Sequence, residues 1–217
     1  MTVAIILLLA AAASSAGLLI LQIGLLRVFA VAPQLKVQAA NSELPDTSLT
    51  VVVPAYNEEV NIAACLQGVL DSTPPCTEWS VLVVDDASTD ATAQIAHETA
   101  LDHSEICSVL QAGPRPQGER WVGKNWACCR AMEQVTSKWV LFIDADVRLR
   151  PDALRRALGQ AIEESADLFS LAPRLECGCL AEWMVQPIMA SLLGLGFPIE
   201  ATNDSNSDVA FAAGPFM

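Results

Sequence analysis

Two aspartates separated by one residue, Asp144 and Asp146, follow the apolar run Trp139-Val-Leu-Phe-Ile143. Like charges this close repel each other, and with no basic neighbour inside the motif they attract a hard divalent cation. A cation held there can in turn hold a diphosphate. Two further polar clusters also follow apolar runs: Pro54-Ala55-Tyr56-Asn57-Glu58-Glu59 after Leu49 to Val53, and Asp85-Asp86-Ala-Ser-Thr-Asp90 after Ser80 to Val84. Asp86 offers acceptor oxygens to a ribose or a base edge. Tyr56, with Asn57 and Glu58 beside it, offers a ring and hydrogen-bonding groups that suit a nucleobase. Lys124 opens a helix after Gly123 and is placed to reach a phosphate at that helix N-terminus. Plain structural roles compete with each reading. Asp85 and Asp86 can be solvated carboxylates ahead of a helix, and Asn57 and Glu58 can simply start one. Lys124 can be a surface lysine, and Trp121 and Trp126 can be packing rings.

These motifs need elements that bring them together. From Leu49 onward, strand-like and helix-like segments alternate. Strands are expected at Leu49 to Val53 (ended by Pro54), Ser80 to Val84, Cys107 to Leu110 and Trp139 to Ile143, with a fifth at Leu168 to Leu171. Helices are expected from Glu58 to Leu70, with Val60, Ala63, Ala64 and Val69 facing inward, and from the Ser88, Thr89 or Asp90 cap to about Ala100. Two more are expected over Lys124 to Val135, after the Pro/Gly-rich loop 112–123, and from Pro151-Asp152 to about Ser165. Such alternation predicts an α/β fold: a mostly parallel sheet with helices on both faces. Right-handed crossovers put all strand carboxyl ends on one edge, where the ligand crevice of an open α/β sheet lies.

Composition bounds the rest. Of 217 residues, 53% are apolar, and the excess gathers at the amino terminus. No charged residue occurs from Val3 to Leu26. As a helix this stretch is roughly 36 Å long against a hydrocarbon core of about 30 Å. It lacks the basic n-region and the shorter apolar core of a cleaved signal peptide, so a retained transmembrane anchor is expected over residues 1–28. Arg27 and Lys36 just after it place the remainder in the cytoplasm by the positive-inside rule. A juxtamembrane linker is expected over 29–48 and one globular domain over 49–217. Trp183 to Ile199 is a second uncharged stretch, shorter than a span and interrupted by Pro187 and two glycines; it reads as an interfacial or re-entrant segment, or else a buried core helix. The net charge of −13 leaves no basic stripe for nucleic acid. Seven cysteines are an odd count, expected to be thiols in a reducing compartment. Neither Cys128-Cys129 nor Cys177-x-Cys179 has the usual zinc spacing.

Val51-Val-Val-Pro-Ala-Tyr-Asn-Glu-Glu59, Val83-Val-Asp-Asp-Ala-Ser-Thr-Asp90 and Phe142-Ile-Asp-Ala-Asp-Val147 resemble the three leading motifs of family 2 glycosyltransferases. Trp121-Val-Gly-Lys-Asn-Trp126 further resembles the membrane-anchored subgroup called hopene-associated glycosyltransferases, related to some carotenoid glycosyltransferases. The resemblance covers Leu49 onward. It implies a glycosyltransferase-A type, Rossmann-like fold, a nucleotide-sugar donor (commonly UDP-linked), Mg²⁺ or Mn²⁺, and inversion at the anomeric carbon. It implies nucleoside contacts from Ala55, Tyr56, Glu58 and Asp86, with Asp144 against the ribose or metal and Asp146 on the metal. The donor-binding set it implies is Pro54, Ala55, Tyr56, Asn57, Glu58, Asp86, Lys124, Asp144 and Ala145. With the anchor and the 183–199 stretch, it favours a membrane lipid as acceptor. The family's general base is an aspartate of a later Glu-Asp type motif. Ala213-Gly-Pro-Phe-Met217 resembles the strand leading toward it, so the chain is expected to stop short of that motif. No base is assigned; Asp204 and Asp208 lie outside the expected context.

Three rivals share parts of the pattern. A phosphorelay receiver has an acidic pair and a later aspartate at strand ends, but it needs a lysine at a later strand end, and no lysine follows Lys138. A sugar nucleotidyltransferase would want a Gly-rich loop where Pro54-Ala-Tyr-Asn57 stands. A non-catalytic, membrane-bound sugar-nucleotide binder also fits.

Overall fold

The computed structural model of the chain describes residues 2–36, 43–121, 123–204 and 206–217, with side chains throughout these ranges except at 2 and 25–31. Residues 37–42 of the expected linker, Val122 of the Trp121–Trp126 run, and the Arg27 side chain on which the orientation rests therefore lie outside the described residues. Contacts divide the chain into two units: residues 1–34 with 174–211, and residues 35–173 with 212–217.

The larger unit holds a four-stranded sheet of β1 (Ser48–Ala55), β2 (Glu78–Asp85), β3 (Cys107–Gln111) and β4 (Trp139–Phe142), in the order β3-β2-β1-β4. Every named pair is parallel. The chain builds outward from β1 through β2 to β3, then returns to the other side of β1 for β4. That reversal puts a topological switch point between β1 and β4, the crevice position for a ligand.

The central strands are apolar on both faces, as parallel strands covered by helices must be. Val51 and Val53 of β1, in register with Val81 and Val83 of β2, face one core; Val52, Leu82 and Val84 face the other. The first core is closed by α2 (Ile62–Leu70), α3 (Thr92–Asp102) and α5 (Ala153–Glu163). The second is closed by α4 (Asn125–Met132) through Trp126, Ala127 and Ala131. Truncating a fully buried core side chain such as Leu66 or Leu154 would cost about 2–5 kcal/mol.

Several expected boundaries move. β1 runs on through Pro54 to Ala55. The Val52 carbonyl accepts from the Ile143 N–H (3.0 Å), so even-numbered residues of β1 face β4. Pro54 shares that parity, and β4 ends at Phe142, so its missing N–H costs no ladder bond. The helix expected from Glu58 starts at Ile62, and its buried stripe is Ile62, Cys65, Leu66, Val69 and Leu70. Val60 is exposed in the preceding turn, and Ala63 and Ala64 face water, so of the four residues expected inside only Val69 is. No strand forms over Leu168 to Leu171. The Leu171 N–H instead donates to the Phe216 carbonyl (3.0 Å), while Phe216 and Met217 pair antiparallel with the end of β4.

Part of the linker is fastened to α5. The Lys36 N–H donates to Gln160 (3.0 Å), Arg156 donates to the Lys36 and Leu35 carbonyls, and the Lys36 ammonium pairs with Glu163 and Glu164. The hydrogen bond that the Lys36 ammonium donates to Glu164, partly opposed by burial, raises the Lys36 pKa.

In the smaller unit, α1 (Thr2–Val31) contains a 22-residue stretch, Val3–Gly24, long and apolar enough to cross a membrane, with none of it buried in the protein. The helix runs three residues past the expected end of the anchor. The same unit holds α6 (Leu180–Gly196) and α7 (Ile199–Thr202).

Candidate active site

The carboxyl ends of β1, β2 and β4 open onto a cavity of about 380 Å³. Its wall contains Pro54, Ala55, Tyr56 and Glu58 from the β1 end, Asp86 from the β2 end, and Asp144, Ala145 and Asp146 from the β4 end. Arg115, Gly123, Lys124 and Ala127 complete it. Of the residues expected from sequence, Asn57 does not line the cavity.

What Asn57 does instead is hold the loops. Its own φ is +54°, a left-handed conformation that asparagine tolerates better than most residues. Its side-chain oxygen accepts from the Thr89 N–H (2.8 Å), and its N–H donates to the Ser88 hydroxyl (3.0 Å). The Glu58 N–H donates to the Thr92 hydroxyl (2.7 Å). Glu59 and Asp90 exchange places: the Glu59 N–H donates to Asp90 (3.3 Å), and the Ala91 N–H donates to Glu59 (3.1 Å). Asp90 also accepts from the first N–H of α3, that of Thr92 (3.0 Å), but the N-cap itself is Ala91 and not Ser88, Thr89 or Asp90 as expected. Desolvation opposes these bonds, but the Thr92 hydroxyl and N–H and the Glu59 N–H together hold the Asp90 carboxyl below its ordinary pKa. The β1 and β2 loops are thus one rigid edge.

The β4 loop is tied in by residues the sequence reading passed over. Arg148 donates to Asn61 (3.0 Å) and to the Val147 carbonyl (3.2 Å), and Asn61 donates to Glu58 (3.0 Å). Arg115 pairs with Asp86 across the loop that follows β3, at 2.5 Å. Asp86 is 7% exposed, so the guanidinium is the counter-charge of a nearly buried carboxylate. The available signal was weak: two arginines, Arg115 and Arg120, in an otherwise uncharged-to-acidic Pro/Gly loop. Ala87, next to Asp86, sits at φ +60°, a strained conformation for alanine.

Lys124 is neither a free surface lysine nor aimed only at the cavity. Its ammonium pairs with Asp144 and donates to the Gly214 carbonyl (3.0 Å). The compensating charge that the Asp144-x-Asp146 pair lacks within its own motif is therefore supplied by the start of α4, after a turn in which Gly123 takes φ +53°. Asp146 is exposed and makes no hydrogen bond or ion pair among the described residues. Trp121 and Trp126 pack edge to face, centroids 5.1 Å apart, and the Trp126 indole donates to the Gly113 carbonyl (3.0 Å), the packing role rather than a ligand platform.

Among the described residues no cluster of three or more His, Cys, Asp or Glu side chains is arranged to hold a metal, and this covers the cysteine pairs. Two carboxylates facing one cavity nevertheless suit a hard cation that completes its shell with phosphate oxygens and water rather than with protein groups. Below them the Cys65 thiol is buried and donates to the Asp144 carbonyl (3.6 Å). Burial, opposed by Arg148 and aided by Asp146, Asp144 and Glu58, pushes its pKa up to about 12. A larger cavity, about 770 Å³, lies along β4 and α5, but none of the acidic residues of the three motifs lines it.

The Glycosyl transferase family 2 pattern matches residues 50–216. The chain belongs to that family. A 4,4'-diaponeurosporenoate glycosyltransferase of Staphylococcus aureus is 31% identical over 148 residues, which cover 67% of this chain and 36% of that protein. The same enzyme from a second strain is 30% identical over the same length. The chain thus spans about a third of the length of these curated relatives. Among solved structures, a mannosyltransferase from Pyrobaculum calidifontis in complex with GDP-Man and Mn²⁺ superposes with a TM-score of 0.54 at 25% identity, over 75% of this chain and 46% of that one. The glycosyltransferase-A type sheet expected from the motifs is the fold observed, and the receiver and nucleotidyltransferase readings fall away.

Proposed function

We propose that this family 2 chain carries the donor half of a membrane-associated glycosyltransferase: it binds a nucleotide-sugar, UDP-linked in our reading, and passes the sugar with inversion to a membrane lipid. The observation that carries the reading is the meeting of three strand-end motifs at one cavity beside the β1/β4 switch point. The relatives, named as 4,4'-diaponeurosporenoate glycosyltransferases, support a lipid-type acceptor. The superposing mannosyltransferase, solved with a nucleotide-sugar and Mn²⁺, supports the donor class and the metal.

In this reading the residues divide the work by charge and burial. Asp86, fixed by Arg115, presents an acceptor oxygen to the nucleoside, with Tyr56 exposed beside it as a stacking face and Pro54 and Ala55 as the floor. Asn57 positions the loop that carries Tyr56 and Glu58. Asp144 and Asp146 would hold Mg²⁺ or Mn²⁺. When bound, the cation supplies Lewis-acid stabilisation of the departing diphosphate. Lys124 adds a second positive charge on the same side of the cavity, aided by the amino end of α4. The catalytic base is left unassigned. α1 anchors the chain, with the larger unit facing the cytoplasm.

Calorimetry with UDP- and GDP-linked sugars, with and without Mn²⁺, tests the reading. Wild-type chain should take up one donor class in a metal-dependent way, and Asp144→Ala with Asp146→Ala should abolish that dependence. Equal uptake by the double variant would sink the proposal. Sugar transfer from the same donor to extracted membrane lipid, but not to soluble glycans, tests the acceptor.

A further inference from the structure

The smaller unit contains a helix built the wrong way round for water. α6 runs 17 residues from Leu180 to Gly196. In a helix at an aqueous surface, apolar side chains turn inward and polar ones outward. In α6 the less exposed positions are Gln186, Ala190, Ser191 and Gly194, a stripe of polar and small residues at spacings of four, five and eight. The outward positions are Trp183, Met184, Ile188, Leu192 and Leu195, each more than half exposed. After Glu182, which accepts from the Gly178 N–H (2.7 Å) at the amino end, no charge occurs until Glu200.

The buried hydroxyl on the inner stripe is satisfied inside the helix. The Ser191 hydroxyl, the one buried residue of α6, donates to the Pro187 carbonyl one turn back. Back-bonded serines, interior prolines and small residues turned toward neighbouring helices are the features of helices surrounded by hydrocarbon. A protein partner would cover one face. Here the apolar surface continues around the helix on every side but that narrow stripe, and α6 contacts α1, whose Val3–Gly24 stretch is long and apolar enough for a bilayer. At roughly 25 Å, α6 is shorter than the hydrocarbon core of about 30 Å.

From this inverted pattern we propose that α6 is a second lipid-embedded element: its outer surface sits among acyl chains of the same bilayer that holds α1, entering without having the length of a full span. The partner is the lipid bilayer itself. The proposal rests on the smaller unit alone and stands whether or not the donor reading holds.

Photolabelling tests it on the full chain. The protein is reconstituted into phosphatidylcholine vesicles carrying an acyl-chain diazirine, irradiated, digested and mapped by mass spectrometry. Label is expected on α1 and on Met184, Ile188, Leu192 and Leu195, at severalfold the level of peptides from β1 to α5, with little on Gln186 and Ser191. Label on α1 with α6 no higher than the sheet peptides would overturn the proposal. So would equal labelling of both faces of α6, or crosslinks from α6 to a second copy in place of lipid.

Discussion

Two acidic pairs stand at the ends of the strands on either side of β1, and the fold treats them differently. At the end of β2, Asp85 and Asp86 are 2% and 7% exposed. Asp85 accepts from the Ser88 N–H, and Asp86 pairs with Arg115. At the end of β4, Asp144 is half-buried with Lys124 as its partner, and Asp146 stands open to the cavity with no partner among the described residues. A carboxylate already neutralised and locked in place can serve as a fixed acceptor for one directional hydrogen bond. A carboxylate left bare beside a half-compensated one is suited to a ligand that brings its own positive charge. The pair at β2 is thus part of the folded frame, and the pair at β4 is only half compensated.

The largest effect should come from removing the open pair. Asp144→Asn with Asp146→Asn is expected to lower Mn²⁺-dependent donor affinity by more than the roughly 10–100-fold that loss of an outer-sphere partner costs, with almost no change in unfolding free energy. Calorimetry and urea denaturation of the same variant would read the two halves of that statement. If the variant unfolds more easily, the contrast between the pairs is wrong.

The locked pair should behave in the opposite sense. Arg115→Ala leaves the nearly buried Asp86 carboxylate without its counter-charge, and a stability loss of about 1–3 kcal/mol is expected in urea denaturation. A loss within error of zero would mean that solvent reaches Asp86 easily.

A smaller gain should follow from relaxing the turn beside that pair. Ala87→Gly removes a Cβ from a left-handed position and should stabilise the fold by up to about 1 kcal/mol, offset in part by the greater freedom of glycine when unfolded. The same denaturation series would detect it.

The smallest effect concerns Asp90, whose carboxyl is held below its ordinary 3.8. A depressed folded pKa means that the unfolded chain binds the proton more readily. The contribution of Asp90 to stability is therefore complete above about 3.8 and is lost as pH falls through the lower folded value. Asp90→Asn should flatten the pH dependence of stability below that point and leave it unchanged near neutrality. A titration of the Asp90 carboxyl carbon by NMR would give the same answer directly.

The smaller unit sharpens the contrast from another direction. Around the cavity, polar side chains are spent on holding loops and apolar ones are buried in two cores. In α6 the arrangement is inverted, with Ser191 inside and Leu192 out. The same chain therefore carries one region folded against water and another whose outward surface suits hydrocarbon.

Much of this was legible in the residues alone. The alternation of apolar runs and helical spacings predicts β1 to β4 and α3 to α5 near their observed bounds, because burial on both faces makes the strands continuous runs of Val, Leu and Ile. The position of each acidic motif just after a strand was equally readable, and parallel strands then carry all of them to one edge. Tertiary structure decided the pairings. Arg115 lies 29 residues from Asp86, and Lys124 lies 20 from Asp144. Nothing in local spacing says which cation closes on which carboxylate; the sheet order does, by placing the loop after β3 and the start of α4 over the ends of β2 and β4. Asn57 shows the same division. Its residue type announces a polar role at a strand end, but only the approach of the β2 loop turns that role into holding Thr89 instead of facing the cavity. Local sequence determines what a residue is able to do, and the folded neighbours, through distance and burial, determine which of those things it does.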